Sequence, residues 1–390
     1  MRLAFGIVSL FPGGGLQRDC IEIARLVQAK GHEVTIYTCR LRDAGLADEI
    51  PVLVLQNDAK TNHQRQHTFA LDFRRRTADR YDLIVGFDKL LELDVLYCAD
   101  PSIAYRLKNR PYLYLLSRYR TFRKLERNSF ARNGSVSIIL LSENQVIEYQ
   151  SAWRTDFHRM SVIPPTLAGD RKRPESRTDK IRKRVRAELD LADDDWVWLS
   201  IGVQLRTKGI DRAVAALIEF PNARLLIAGL SDTNRASIKL AKHAQHLGVS
   251  SRITWLGHRE DIHHLMAAAD LLVHPARYDT TGTVILEGIV NGLPVITTAA
   301  CGYARHVEAA NAGSVLKEPF RFSLFVAALR RASDPSLRRA WSLSAAAYGD
   351  DPTLYQGRVR AADLIVEAGF SKASRANIAR SNTEEPQTCK

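Results

Sequence analysis

Short, almost wholly apolar runs recur along this chain, each followed by a helical pattern. Leu3 to Leu10, Val34 to Tyr37, Pro51 to Leu55 and Asp82 to Gly86 form one series; Trp196 to Ile201, Ala223 to Ala228, Ile253 to Leu256, Leu271 to His274 and Pro294 to Thr297 form a second. Strands apolar on both sides are covered on both sides, which is the mark of a parallel sheet between two layers of helices. Between the series, Pro164-Pro165 and a highly charged stretch interrupt the rhythm. The pattern therefore predicts an α/β protein with two doubly wound, Rossmann-like domains, 1–165 and 166–350, facing a cleft. A helix within 351–370 is expected to pack back on the first domain, and the polar, aperiodic stretch 371–390 to be a disordered tail. Ligands of such sheets bind at the carboxyl ends of the strands.

The 390 residues exceed one ordinary core, and 45% hydrophobic with 25% charged residues excludes a disordered or fibrous chain. No apolar run approaches the roughly 18–20 residues of a membrane-spanning helix. Arg2 and the run Leu3 to Phe11 imitate a secretion signal, but they lead into Pro12-Gly13-Gly14-Gly15 and a helical pattern with no small-residue cleavage signature. Five cysteines without any Cys-x-x-Cys pair indicate neither a disulfide framework nor a zinc site, which suits a reducing cytoplasm. A formal charge of +13 asks for an acidic partner. Nucleic acid, anionic lipid, phosphorylated sugar and nucleotide all qualify, so the motifs must decide.

Tyr278-Asp279-Thr280-Thr281-Gly282-Thr283-Val284-Ile285-Leu286-Glu287 reads as a strand-to-helix loop. A helix starting near Gly282 turns the N–H groups of Gly282, Thr283 and Val284 outward, an arrangement that attracts a diphosphate. Glu287 and Asp279 are carboxylates able to hold sugar hydroxyls. Glu287 could equally be a residue that only complements the helix dipole. Ser200-Ile201-Gly202 followed by Arg206, Lys208 and Gly209 puts two cations at a strand end, where they neutralise a leaving diphosphate or are simply solvated. The loop Gly13-Gly14-Gly15-Leu16-Gln17-Arg18-Asp19 lacks the Gly-x-Gly-x-x-Gly spacing and the Gly-Lys-Ser/Thr ending, so it is either a backbone that approaches a ligand or a tight turn. The pair His263-His264 has no acidic partner at ligand spacing and is expected on a helix surface, so no metal site and no cofactor are expected.

In combination, Gly14-Gly15-Leu16-Gln17-Arg18-Asp19, Lys208-Gly209, the acid-x7-Glu segment ending in Glu287 and Gly292-Leu293-Pro294-Val295 resemble family-4 retaining glycosyltransferases of the GT-B fold. Within that family Phe11-Pro12, Gly86-Phe87-Asp88-Lys89, Leu93-Asp94-Val95, Ala99-Asp100, Ser117-Arg118-Tyr119-Arg120, the run Ala267 to Leu272 and Cys301-Gly302-Tyr303-Ala304 are similar to the bacterial enzymes that glucosylate the first heptose of the lipopolysaccharide core. The resemblance spans Met1 to about Val366. It implies a UDP-sugar donor whose ribose is held by Glu287, whose transferred sugar meets Asp279 and whose diphosphate is gripped by Arg206 and Lys208. It further implies that the Gly14-Gly15 loop closes over the phosphates, that residues near Arg259 pair with the base, and that Asp100 lies by the reacting sugar. Asp100 also suits a helix N-cap before Pro101. Two positions depart from the family: Asp279 replaces a glutamate, one methylene shorter, and Thr207 stands where a basic residue precedes the lysine.

Between Ser102 and Gly134 nine Lys or Arg and six Tyr or Phe accompany a single acid, Glu126. Read as one helix, Tyr112, Leu115, Tyr119 and Phe122 share a face and Arg120, Lys124 and Arg127 another, the pattern of a helix lying on an anionic membrane. A domain-packing helix and a phosphate-tracking surface for nucleic acid are the competing readings. The sequence as a whole predicts a hexosyltransferase, monomeric or weakly oligomeric, peripheral on the cytoplasmic face of the inner membrane, acting on a lipid-linked heptose and not on nucleic acid. The alternatives are another nucleotide-sugar donor or glycolipid acceptor, or a basic binding protein that keeps the fold without the reaction.

Overall fold

The computed structural model describes residues 1–43, 45, 49–172 and 178–381. The chain divides into two compact units, one of Met1–Thr166 with Gln356–Lys390, the other of Leu167–Tyr355.

In the first unit β1 (Arg2–Gly6), β2 (Glu33–Thr38), β3 (Val52–Val54), β4 (Leu83–Gly86), β5 (Val95–Cys98), β6 (Ser137–Leu140) and β7 (Met160–Val162) form a sheet of order β3-β2-β1-β4-β5-β6-β7. Every pairing is parallel. Alternate residues of a strand point to opposite faces. Leu3 and Phe5 of β1 accordingly join a core with Ile21, Ala24, Ala361 and Ile365, while Ala4 joins one with Phe69, Phe73 and Leu96. The second unit repeats the plan with β8 (Trp196–Ile201), β9 (Ala223–Ala228), β10 (Ile253–Gly257), β11 (Leu271–His274), β12 (Val295–Thr298) and β13 (Gly313–Leu316), in the parallel order β10-β9-β8-β11-β12-β13. Val197 and Leu199 face one core and Trp198 the other. Among the described residues no helix is long and apolar enough to cross a membrane.

Four readings of the sequence change. The first strand stops at Gly6, and Leu10 makes only an isolated bridge to Leu41. The unit boundaries fall at 166/167 and 355/356, because Leu354 is buried in the second unit's core and its carbonyl accepts from Leu167 N. The stretch from 371 does not begin a disordered tail: the helix Gly357–Ser381 runs through it, and Lys372 Nζ reaches Asp94 Oδ2 at 2.8 Å. Its Ala, Lys and Arg residues are good helix formers, and a helix already nucleated on the core extends cheaply. Residues 382–390 lie outside the described residues. That long helix is pinned to the helix Gly15–Ala29 by Asp19, whose buried carboxylate accepts from Arg358 Nε and Tyr97 Oη, both at 2.7 Å.

The basic segment is not one helix. It comprises Ile103–Asn109, a 3-10 turn Pro111–Leu115 and a helix Ser117–Phe130. Pro111 lacks an N–H and forces Arg110 out of the helical region, to φ −145° and ψ 67°. The one acid is structural: Glu126 is buried and accepts from Ser102 Oγ, Ile103 N, Ala104 N, Trp153 Nε1 and Lys89 Nζ. Burial pushes its carboxyl up, but the Lys89 ammonium and these bonds hold it below its ordinary value. Glu126→Ala would strand the buried Lys89 charge, so it is expected to destabilise the first unit by about 3–5 kcal/mol, measured as a drop in the urea midpoint.

Candidate active site

Both sheets reverse their order once, between β1 and β4 in the first unit and between β8 and β11 in the second. The connections that leave there diverge and open a crevice at the carboxyl ends of the strands.

In the second unit this crevice brings the loop after β8 against the loop after β11. Gly209 allows it: its φ is +73°, and a Cβ there would stand 1.9 Å from the carbonyl oxygen of Pro275. Arg277 fixes the same approach, donating to the Arg206 carbonyl at 2.7 Å and to both oxygens of Asp211, at 2.7 and 2.8 Å. Lys208 Nζ consequently meets Asp279 Oδ2 at 2.7 Å, and His274 Nε2 reaches the same oxygen at 3.0 Å. Burial pushes the Asp279 carboxyl up, but the His274 bond and the Lys208 ammonium outweigh it and bring it down to about 2. Burial likewise pushes His274 down, while Asp279 and Cys301 draw it up to about 9.

The helix Thr283–Val290 begins beside this group. Gly282 precedes it at φ +79°, no side chain caps it, and a Cβ on Gly282 would lie 3.6 Å from Asp279 Oδ2. The first-turn amides of Thr283 and Val284 therefore open next to the Asp279 carboxylate and the Lys208 ammonium. Glu287, one turn further on, faces elsewhere. It lines a pocket of about 200 Å³ with Asp170, Arg171, Glu260, Ile262 and His263, and its Oε1 lies 3.7 Å from Arg171 Nη1. Asp279 is not among the residues that line this pocket. Arg206 is exposed on the rim. Arg259 is held by Asp261 in a two-point pair, at 2.7 and 2.6 Å, and its neighbours Glu260 and Ile262 are the pocket-lining residues. His263, half-buried in the helix Ile262–Ala268, lines this pocket, and His264 Nδ1 lies 3.9 Å from the Asp261 carboxylate. Among the described residues no group of three or more His, Cys, Asp or Glu side chains is placed to hold a metal ion.

In the first unit Gly14 precedes the helix Gly15–Ala29 without a capping side chain, and nothing described lies within 4 Å of where a Cβ would stand on Gly15. Asp100, exposed beyond β5, is anchored by its main chain, whose carbonyl accepts from Gln145 Nε2 at 3.1 Å and Tyr149 Oη at 2.9 Å. It is not an N-cap. Ser102 caps the next helix, accepting from Tyr105 N. At the crevice itself stands Asp88, bound to Val8 N at 2.7 Å; burial first, and then the nearby Asp100 charge, push its carboxyl up to about 7.

Sequence reasoning missed His274 and Arg277. His274 was read only as the last residue of an apolar strand, and its place directly before Pro275 at a carboxyl strand end was the available signal. Arg277 carried none, since its partner Asp211 is remote in sequence.

Residues 181–347 match the family model described as glycosyl transferases group 1. The chain is 36% identical over 377 residues to the lipopolysaccharide glucosyltransferase WaaG of Escherichia coli (strain K12), covering 94% of this chain and 98% of that protein. It belongs to the group 1 glycosyltransferases. The crystal structure of WaaG, described as a glycosyltransferase involved in lipopolysaccharide biosynthesis, superposes with a TM-score of 0.82 at 34% identity, over 93% of this chain and 99% of that one. Anabaena HepE, solved in complex with UDP-glucose, shares the fold with a TM-score of 0.69 at 19% identity, over 97% and 99%. This glycosyltransferase is thus of the GT-B class, built from two Rossmann-like units.

The pair His274–Asp279 gives the glycosyltransferase a pH signature. A raised histidine stabilises fully below its unfolded value near 6.5 and loses that contribution as pH rises through about 9. A depressed carboxyl stabilises fully above 3.8 and loses it as pH falls through about 2. The urea midpoint is therefore expected to decline between pH 6.5 and 9, and Asp279→Asn to flatten that decline; an unchanged slope in the variant would contradict the pairing.

Proposed function

We propose that this glycosyltransferase moves a hexose, glucose, from a UDP-sugar to a heptose of the lipopolysaccharide inner core, with retention at the anomeric carbon. The observation that carries the reading is the cation–carboxylate pair of Lys208 and Asp279 at the uncapped helix start, in a chain that aligns over nearly its whole length with a lipopolysaccharide glucosyltransferase.

In this reading the donor's diphosphate rests on the amides of Gly282, Thr283 and Val284 and takes the charges of Arg206 and Lys208. Glu287 accepts hydrogen bonds from the ribose hydroxyls, with the base among Glu260, Ile262 and the residues around Arg259. Asp279 holds a hydroxyl of the transferred sugar. In the same reading the Gly14-Gly15 loop of the first unit is a contact of the phosphates and Asp100 a contact of the acceptor. As the glycosidic bond lengthens, negative charge grows on the diphosphate and positive charge on the sugar. The amides and cations stabilise the first without reorganising, and the carboxylates the second. A diphosphate oxygen then accepts the proton of the attacking hydroxyl on the face it leaves. Protein cations fill the role of a metal ion, so the reaction is proposed to be metal-independent.

A transfer assay with a truncated lipopolysaccharide acceptor and a panel of UDP- and GDP-sugars tests this. UDP-glucose should give the product, and Glu287→Ala and Lys208→Ala should each lower kcat/KM by about a hundredfold or more. Turnover at the wild-type rate in both variants would reject the site.

We further propose that the segment 102–134 rests on the anionic inner membrane, holding the enzyme at its cytoplasmic face. Tyr112, Tyr114 and Leu115 are exposed on the 3-10 turn and Leu116 directly after it, with Arg106, Arg110, Arg118 and Arg120 exposed in the flanking helices and at the turn's start. Apolar side chains at the tip and cations at the rim match the acyl boundary and the headgroups of such a surface. Leu115→Asp should weaken binding to vesicles containing phosphatidylglycerol about tenfold while leaving turnover of a soluble acceptor unchanged; equal binding to neutral and anionic vesicles would count against the proposal.

A further inference from the structure

One oxygen of Asp279 has two basic groups on it, which is more than a single negative charge requires. Lys208 Nζ stands 2.7 Å away and His274 Nε2 3.0 Å away. The two differ in their freedom. Lys208 reaches in from the loop after β8 on a flexible stem and keeps 24% of its side chain exposed. His274 is the last residue of β11, 2% exposed, with Thr297 Oγ1 donating to its own main-chain carbonyl at 3.0 Å. Its imidazole is confined between Asp279, from the loop after β11, and Cys301, from the loop after β12, while Lys208 faces it only through the Asp279 carboxylate.

A diphosphate arriving at the Thr283–Val290 helix start competes with Asp279 for the Lys208 ammonium. If Lys208 were the sole partner, its departure would leave a buried carboxylate without a counter-charge, and that cost would oppose donor binding. With a second cation that cannot leave, the cost is absent. We propose that His274 is a positioning residue whose imidazolium holds the Asp279 carboxylate in place so that Lys208 is free to turn to the donor's diphosphate. The inference rests on the nucleotide-sugar reading above.

His274→Gln keeps a hydrogen-bond donor near Nε2 but cannot carry charge. UDP binding to the full chain, followed by calorimetry from pH 6.5 to 10, should be about tenfold weaker in this variant at pH 7.5. Wild-type affinity should decline as pH rises through about 9, the region in which His274 loses its proton, and the variant should show no such step. For UDP-glucose, KM should rise more than kcat falls. Wild-type affinity with an unchanged pH step in His274→Gln overturns the inference. If that variant does not fold, the ¹⁵N shifts of His274 in the wild-type protein decide: both ring nitrogens protonated at pH 7.5 with UDP bound is expected, and a neutral ring in the complex overturns it. Glu287→Ala separates the two readings. Lost UDP binding there beside unaltered binding in His274→Gln sinks only the role of His274, whereas unaltered binding in both sinks the nucleotide site and this inference with it.

Discussion

Where β8 and β11 lie side by side, the connections that follow them leave in opposite directions, and the carboxyl ends of the two strands are left facing one another. The chain fills this gap with charge. Lys208 comes from one side and Asp279 from the other, and the approach is close only because a glycine at 209 lets the backbone touch Pro275. A side chain at that position would separate the loops and, with them, Lys208 from Asp279.

A buried carboxylate is expensive unless it is paired, and each unit answers that demand differently. In the second unit Asp279 is over-compensated and stays ionised far below neutrality. In the first, Asp88 at the equivalent crevice accepts from the Val8 amide and feels the Lys89 charge, but burial and the neighbouring Asp100 outweigh both and push its carboxyl up to about 7. One sheet therefore presents a fixed negative charge, and the other a group poised near neutrality.

How much of this was legible in the sequence follows from range. The apolar runs announced the two parallel sheets because burial on both faces is written in consecutive residues. The short strands β6, β7 and β13 escaped that reading, since each carries a serine among its three or four residues, which breaks the apolar run. Lys208 and the helix after Gly282 were visible as local motifs. His274 was not, because a histidine at the end of Leu271-Leu272-Val273 acquires meaning only when Asp279 folds back on it. The basic segment was misread as one helix although Pro111 stood in its middle, because the charge pattern on either side of the proline is continuous. The stretch after 371 was misread because polarity was taken for disorder, whereas a helix already anchored on a core tolerates polar residues.

The second unit occupies a single stretch, Leu167–Tyr355, whereas the first is assembled from both ends of the chain, with Ala361, Ala362 and Ile365 completing a core begun by Leu3 and Phe5. During synthesis the downstream lobe can close as soon as it leaves the ribosome. The upstream lobe must wait, its sheet formed but one flank bare, until the helix Gly357–Ser381 is made. Nascent chains stalled before residue 357 would thus expose that flank.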